Sequence, residues 1–212
     1  MELLIVRHGE TVANLKNRIQ GQTHGRLSEK GKMQARQLSK RLRDRRIDRI
    51  FSSDLNRARE TAYEVTRSRD IPIYYMKWLR GRDSGRYEGK KWDAVVKDVG
   101  PDRAFDDVRF KLGGGESMID MHKRIKKLVD AIIRNHNGQT VMICTHRHCV
   151  TVLMSVLFNV PVGEVLADMK NVKNGQIIGN AEVVRLRIEG GRVRYLGNNE
   201  NILRIEDKSR LR

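Results

Sequence analysis

Two periodicities of apolar residues alternate along the chain and predict strands that are separated by helices. Short apolar runs between turn residues predict strands at residues 3–6, 47–53, 71–75, 140–144, 181–188 and 192–197. Apolar residues at helical spacing predict helices over 29–42, about 55–67, near 91–99, from 117 to about 133, and over 150–158. Strands that alternate with helices form a mostly parallel sheet with helices on both faces, so we predict an α/β three-layer sandwich.

Two of these helices carry the clearest signals. Ser28 is a suitable N-cap for the first, and Glu29 follows in the first turn, where the helix dipole favours an acidic side chain. From Ser117 onward, apolar residues recur every three or four positions and give one strongly amphipathic face. We therefore expect both helices to pack an apolar face against the sheet.

The length of the chain allows one substantial core, and we predict a single domain over residues 1–212. Within it, residues 81–115 contain glycine-rich turns around one short helix, a weaker pattern that predicts a lid or insertion over a site. From about 200 to 212 the sequence is polar, and we expect a loose tail there.

The charge balance favours anionic partners. The chain has 43 Lys and Arg against 26 Asp and Glu, a formal net charge of +17. Such a surface attracts phosphorylated metabolites, nucleic acid or an acidic surface, although a solvated basic exterior explains the same charge. We expect no nucleic-acid partner, because the sequence has no basic tail, zinc-knuckle spacing or pattern of stacking aromatic residues.

Cysteine usage and hydropathy predict a cytoplasmic protein. Two cysteines, Cys144 and Cys149, give no disulfide framework. The sequence enters a strand directly, without a secretory leader, and no apolar run approaches the ~20 residues of a membrane-spanning helix. We therefore expect no association with a membrane.

A metal site is the alternative suggested by Cys144, His146, His148 and Cys149, which fall within six residues. The predicted strand ends here and a helix begins, so these side chains would point in different directions. We predict no metal site.

The strongest chemical signal lies where the first strand ends. The apolar run 3–6 is followed at once by Arg7, His8 and Gly9. In open α/β sheets, ligands collect outside the carboxyl ends of the strands, which is where this pair would lie. A guanidinium binds anionic oxygens bidentately and a neutral imidazole is a nucleophile, so the pair suits phosphoryl transfer. A histidine buried for structural reasons is the alternative interpretation of His8 taken alone.

Five groups of residues form a set of motifs in a fixed order. They are Arg7-His8-Gly9-Glu10-Thr11 with Asn14 and Gln20-Gly21; Leu27-Ser28-Glu29-Lys30-Gly31 with Gln34-Ala35; Ser52-Ser53-Asp54-Leu55-Asn56-Arg57-Ala58-Arg59-Glu60-Thr61-Ala62; Gly114-Gly115-Glu116-Ser117; and Thr145-His146. In this order they resemble the histidine phosphatase superfamily, the phosphoglycerate mutase-like proteins. The motifs span nearly the whole chain, which makes the resemblance specific.

The resemblance implies catalysis through a phosphohistidine. His8 would attack phosphorus and carry the phosphoryl group until water removes it. The residues expected around the charged oxygens of the transition state are Arg7, Arg57 and His146. The expected phosphate-loop and substrate contacts are Asn14, Gln20, Gly21 and Thr23. Arginines and histidines supply the positive charge, so the resemblance implies neither a metal nor a cofactor.

The chain departs from this family at the acid that protonates the leaving oxygen. The segment Leu79-Arg80-Gly81-Arg82-Asp83-Ser84-Gly85-Arg86-Tyr87-Glu88-Gly89 keeps the family frame, but the acid position is Gly81. Three explanations stay open: Asp83 or Glu88 replaces the acid, the substrate has a good leaving group, or the protein is a weak enzyme or a phosphate-binding protein. We select Asp83 as the candidate acid; a solvated loop aspartate is the alternative. Arg147 stands where the family often has glycine and adds a charge beside the second histidine.

We therefore predict a metal-independent phosphomonoesterase that acts on a small phosphorylated substrate through a phosphohistidine. A mutase is the alternative enzyme, and we favour hydrolysis because no extra segment is visible that would retain an intermediate for re-transfer. A phospholigand-binding protein without turnover is the second alternative, motivated by Gly81. A homodimer is an open alternative to a monomer.

Overall fold

The fold is described by a computed structural model at residues 1–105, 107–170, 177–197, 205–207 and 209. Its strands are β1 (Glu2–Arg7), β2 (Arg49–Ser53), β3 (Ile73–Met76), β4 (Thr140–Thr145), β5 (Val183–Glu189) and β6 (Arg192–Tyr195). They form one sheet in the order β3-β2-β4-β1-β5-β6, in which β1 to β4 are parallel and β5 and β6 are antiparallel. The prediction of a mostly parallel sheet is confirmed.

Helices cover both faces of this sheet, as predicted. They are α1 (Val12–Leu15), α2 (Glu29–Leu42), α3 (Asn56–Thr66), α4 (Trp92–Val99), α5 (Pro101–Phe105), α6 (Met118–Asn135), α7 (Arg147–Phe158) and α8 (Val162–Lys170). The sequence pattern missed α1, α5 and α8. The first two have 4 and 5 residues, which is too short to show helical periodicity. It also began α7 three residues late, because the first turn of that helix is polar.

The core divides into two apolar clusters, one on each face of the sheet. Along β1, Leu3 and Ile5 face the cluster built with α6 and α7, whereas Leu4 and Val6 face the cluster built with α2 and α3. Alternate side chains of a strand point to opposite faces, so a strand covered on both sides is apolar throughout. This is why residues 3–6 form one continuous apolar run instead of alternating with polar residues.

The amphipathic helix that begins after Ser117 is confirmed as α6. Ser117 caps it: the Asp120 amide donates to Ser117 Oγ at 3.0 Å, and Ser117 Oγ donates to Asp120 Oδ2 at 2.8 Å. Hydrogen bonds from the amide and hydroxyl of Ser117 lower the pKa of Asp120 to about 2. Met121 and Ile125 are fully buried against the sheet.

The predicted lid segment 81–115 packs as a small layer of its own. Tyr87, Val95 and Leu112 form a buried cluster separate from the two main ones. Whether this segment opens and closes stays a prediction. Most of the predicted loose tail lies outside the described residues, but 205–207 are helical and Ile205 is buried in the core.

In the described part of the chain, no single helix has the length and apolarity to cross a membrane. The helices α7 and α8, bent by 120° to each other, reach that length and apolarity only as a pair.

Candidate active site

The site lies at the carboxyl ends of β1 and β4, which are hydrogen-bonded neighbours. Arg7 pairs with Thr145 in the parallel register, and the His8 amide donates to the Thr145 carbonyl at 2.9 Å. His8 and His146 therefore leave adjacent strands side by side. Their ring centroids are 5.1 Å apart and the rings are inclined by 59°, so the predicted convergence of the two histidines is confirmed.

His8 is held as a neutral imidazole in one tautomer. It is 4% exposed, and its Nδ1 lies 2.7 Å from the Gly9 carbonyl oxygen. A carbonyl only accepts, so Nδ1 must carry the hydrogen and Nε2 must carry the lone pair. Burial, and then the charges of Arg57 and Arg7, hold the pKa of His8 well below its ordinary value. At neutral pH the ring is therefore uncharged, with Nε2 available for attack.

Two side chains that the sequence analysis did not select fix the backbone around His8. The Gly9 amide donates to Thr61 Oγ1 at 3.0 Å, and Asn180 Nδ2 donates to the His8 carbonyl at 2.9 Å. Thr61 lies inside a motif quoted above and could have been chosen from its place one helical turn after Arg57. Asn180 is far away in sequence, and no local signal marks it.

Arg57 is the central cation of the site. It is 2% exposed and lies in the first turn of α3, just after β2. Its Nε donates to His146 Nδ1 at 3.2 Å, and its Nη1 and Nη2 donate to the carbonyls of Thr23 at 2.7 Å and Gly21 at 2.8 Å. Burial lowers the pKa of Arg57 to about 10, so it stays charged at neutral pH. Each Nη keeps a second N–H for an anion.

His146 is held by Arg57 on one side and by Ser53 on the other. Since the Arg57 guanidinium can only donate, His146 Nδ1 accepts and its Nε2 carries the hydrogen. That hydrogen is directed to Ser53 Oγ at 2.8 Å. Ser53 was not predicted as a site residue, although it ends β2 and so meets the same edge of the sheet. In this arrangement the ring of His146 orients the Arg57 guanidinium.

Arg7 brings a second buried guanidinium to the same edge. It is 7% exposed, and its Nη1 donates to the Ile178 carbonyl at 3.3 Å. Burial, and then the nearby charge of Arg147, lower the pKa of Arg7 to about 10. Arg147 itself is exposed in the first turn of α7. The positive charge predicted around His8 therefore comes from arginines of three elements, β1, α3 and α7.

Gly21 and Thr23 reach the site through their backbones rather than their side chains. Both carbonyls accept from Arg57, and the Thr23 hydroxyl is turned back to the Gln20 carbonyl at 2.6 Å. Gly21 has φ of +51°, and a Cβ there would lie 1.9 Å from Glu88 Oε1. Glycine at 21 therefore lets the loop close on Glu88.

Asn14 and Gln20 were predicted to contact the substrate. These two contacts stay predictions. The Asn14 side chain accepts from the Thr11 amide at 3.1 Å in the capping box of α1. By contrast, Gln20 Oε1 is buried and has no hydrogen-bond partner among the described residues. An acceptor in that state is suited to a substrate hydroxyl or amine.

Gly81 lies against His146 and Arg57. A Cβ at this position would be 3.5 Å from His146 Cγ, 3.6 Å from Arg57 Nη2 and 3.2 Å from the Gly21 carbonyl oxygen. A side chain here would therefore enter the pocket. Asp83, predicted as the replacement acid, instead accepts from the Gly85 amide at 2.8 Å through Oδ1, within its own turn; its catalytic role stays a prediction.

The residues considered as metal ligands diverge. Cys144 lies in the cluster on the α2 and α3 face of the sheet, and Cys149 lies in the cluster on the α6 and α7 face. Cys144 Sγ is 3.4 Å from the Ala58 carbonyl, and burial raises the pKa of its thiol to about 12. Within the described residues, no group of three or more His, Cys, Asp or Glu side chains is placed to hold a metal ion.

Comparison with known proteins agrees with this geometry. The family model described as histidine phosphatase superfamily (branch 1) matches residues 3–201. The chain is 32% identical over 164 residues to "Probable phosphoglycerate mutase GpmB" of Erwinia tasmaniensis, covering 76% of each protein. It is 34% identical over 151 residues to a "Metal-independent phosphoserine phosphatase" of Arabidopsis thaliana, covering 68% of this chain and 63% of the relative.

Among solved structures, a mycobacterial glucosyl-3-phosphoglycerate phosphatase superposes with a TM-score of 0.83 at 27% identity, covering 93% of this chain and 98% of the other. YhfR of Bacillus stearothermophilus superposes with the same TM-score at 29% identity, covering 95% and 98%.

Proposed function

The chain belongs to the histidine phosphatase superfamily, and from that premise we propose that it hydrolyses phosphate monoesters through a phosphoryl group carried on His8. As a metal-independent histidine phosphatase it acts on a small phosphorylated substrate. The observation that carries the proposal is the state of His8: buried, neutral and fixed by Gly9 so that the lone pair is on Nε2.

The reaction proceeds in two displacements. In the first, the lone pair of His8 Nε2 forms a bond to phosphorus while the bond from phosphorus to the leaving oxygen breaks and the leaving oxygen takes its electrons. Arg7 and Arg57 stabilise the negative charge on the equatorial oxygens. In the second, water attacks phosphorus, the P–N bond breaks, and its electron pair returns to Nε2.

Phosphoryl transfer between two positions of a substrate is the second candidate, favoured by the likeness to "Probable phosphoglycerate mutase GpmB". We favour hydrolysis because of the likeness to a "Metal-independent phosphoserine phosphatase" and to a glucosyl-3-phosphoglycerate phosphatase. A mutase requires a bisphosphorylated primer and transfers the phosphoryl group back to an organic product. A phosphatase releases inorganic phosphate without a primer.

Around this chemistry we propose that Gln20 and Arg147 contact the part of the substrate beyond the phosphate. The orphaned Gln20 Oε1 supports the first assignment, and the exposed charge of Arg147 beside Arg7 supports the second. We also propose a reducing compartment such as the cytoplasm, supported by the free, buried thiols of Cys144 and Cys149.

The experiment is a phosphatase assay with ³²P-labelled substrate, run on the wild type, His8→Ala and the control His136→Ala. His136 ends α6, before β4 begins, and so lies at the opposite end of the strand from the site. We expect acid-labile, base-stable label on the wild type and on His136→Ala. We expect turnover by His8→Ala to fall by at least about 10³-fold, as when a nucleophile is removed. Equal turnover by His8→Ala and wild type would overturn the proposal.

A further inference from the structure

We propose that this enzyme is selective for substrates whose leaving group departs without being protonated: aryl phosphates, acyl phosphates and phosphoanhydrides rather than alkyl phosphates. The inference rests on the proposed phosphatase function and narrows its substrate class. Its basis is a pocket whose side next to Gly81 has, among the described residues, no carboxylic acid against it, and whose neighbouring carboxylates accept hydrogen bonds that hold the pocket together.

The first observation is the position of Gly81. The Cβ of any other residue would point at His146 Cγ and Arg57 Nη2, at 3.5 Å and 3.6 Å. An acidic side chain at 81 would therefore reach the phosphoryl group held by Arg57. The atoms nearest to such a Cβ belong to the Gly21 carbonyl, the His146 ring and the Arg57 guanidinium. None of these groups delivers a proton as a carboxylic acid does.

The second observation is that Glu88 is occupied in building the loop around Arg57. Its Oε1 accepts from the Gln22 amide at 2.7 Å and from the Ser84 amide at 3.3 Å. The Gly21 carbonyl that anchors Arg57 belongs to the same loop as Gln22. Glu88 is therefore a positioning residue, since its carboxylate ties that loop to the segment around Ser84.

Glu116 and Asp83 are occupied in the same way. Glu116 Oε1 accepts from Arg124 Nε at 2.7 Å, and its Oε2 accepts from Arg124 Nη2 at 3.0 Å and from the Asp83 amide at 3.2 Å. The Asp83 carboxylate closes its own turn through the Gly85 amide. Each carboxylate thus accepts backbone or guanidinium hydrogens that hold the loop together.

The third observation is that the backbone at Gly81 is fixed. Arg124 Nη2 donates to the carbonyls of Arg80 at 2.8 Å and Gly81 at 3.1 Å, and Cys149 Sγ donates to the Arg80 carbonyl at 2.9 Å. Thr145 Oγ1 donates to the Leu79 carbonyl at 2.8 Å. Bonds from α6, β4 and α7 therefore hold this segment in a position in which the Asp83 carboxylate is turned toward the Gly85 amide.

The first displacement then proceeds without a proton donor. His8 Nε2 forms the bond to phosphorus, and the leaving oxygen departs with the electron pair as an aryloxide, a carboxylate or a phosphate anion. These anions are stable in water, whereas an alkoxide is not. General acid catalysis typically raises the reaction rate by about 10²–10⁴-fold. Without an acid, this gain is lost only for substrates whose leaving oxygen must be protonated as it departs.

The test measures kcat/KM for aryl phosphates of graded leaving-group acidity and for an alkyl phosphate, on the wild type, Gly81→Glu and Gly81→Gln. We expect a steep dependence on leaving-group acidity for the wild type. We expect Gly81→Glu to raise the alkyl phosphate rate by about 10²–10⁴-fold with little change for the best aryl phosphate. Gly81→Gln has nearly the same shape and no acidic proton, and we expect no such gain.

A shallow dependence for the wild type would overturn the inference, and this measurement does not require any variant to fold. Loss of alkyl phosphate turnover in Asp83→Asn or Glu88→Gln, with aryl phosphate turnover retained, would also overturn it by identifying an acid. Failure of the proposed function is separate: His8→Ala would then hydrolyse the aryl phosphates as fast as the wild type.

Discussion

The two sides of the pocket are built by different means. On the sheet side, His8 and His146 follow β1 and β4, and Arg57 follows β2, so three buried groups meet at one edge. On the loop side, the segment from Leu79 to Glu88 carries Gly81 toward the same point, held by side chains of other elements.

This difference separates two functions that a phosphatase needs. In the proposed mechanism, the sheet side receives the phosphoryl group, and its geometry follows from parallel strands in register. The loop side faces the leaving group, and residue 81 decides whether a proton is available there. On this account, we expect a change at position 81 to alter the substrate class while the nucleophile stays in place.

The largest expected effect on the sheet side, after loss of His8 itself, is that of Arg57→Ala. Removing a donor that stabilises transition-state charge typically lowers kcat by about 10²–10³-fold. We expect this loss for aryl phosphates as well as alkyl phosphates, because Arg57 acts on the transferred group. The matched control is Arg59→Ala, whose guanidinium lies 3.9 Å over the exposed Tyr75 ring. Similar kinetics for the two variants would contradict the role assigned to Arg57.

A smaller effect is expected from Ser53→Ala, because Ser53 acts through His146. Losing the acceptor at 2.8 Å frees the ring to rotate or change tautomer, which loosens Arg57. By analogy with residues that orient metal ligands, we expect kcat/KM to fall by about 10-fold, with partial rescue in Ser53→Thr. Ser52→Ala is the control, since Ser52 Oγ donates to the Ser53 carbonyl. An unchanged kcat/KM in Ser53→Ala would show that the tautomer is set by other contacts.

The difference between the sheet side and the loop side of the pocket also explains which features the sequence could predict. Most strand and helix positions followed from apolar periodicity, and the placing of Arg7 and His8 at the site followed from the rule that ligands collect at the carboxyl ends of strands. The role predicted for His146 followed from the family resemblance. Short helices such as α1 escaped prediction because a capping box between Thr11 and Asn14, rather than periodicity, defines them.

Contacts that depend on the fold were not predictable. Asn180 reaches the His8 carbonyl across 172 residues of sequence, and Gln22 meets Glu88 across 66. The hydrogen bonds from Arg57 to the carbonyls of Gly21 and Thr23 were not predicted either, because a carbonyl that anchors a side chain leaves no mark on residue type. The predicted contacts of these two residues with the substrate stay predictions. The glycine at the acid position 81 was visible in the sequence. That the carboxylates of Glu88 and Glu116 accept hydrogen bonds from neighbouring segments became clear only from the structure.

The most direct test of the two-sided pocket is a crystal structure of the enzyme with orthovanadate, which imitates the transferred phosphoryl group. We expect vanadium bonded to His8 Nε2, with Arg7 and Arg57 donating to the equatorial oxygens. The oxygen opposite His8 should face Gly81 with no carboxylate within hydrogen-bond distance. Vanadate bound away from His8, or a carboxylate of Asp83 or Glu88 in contact with that oxygen, would contradict the account.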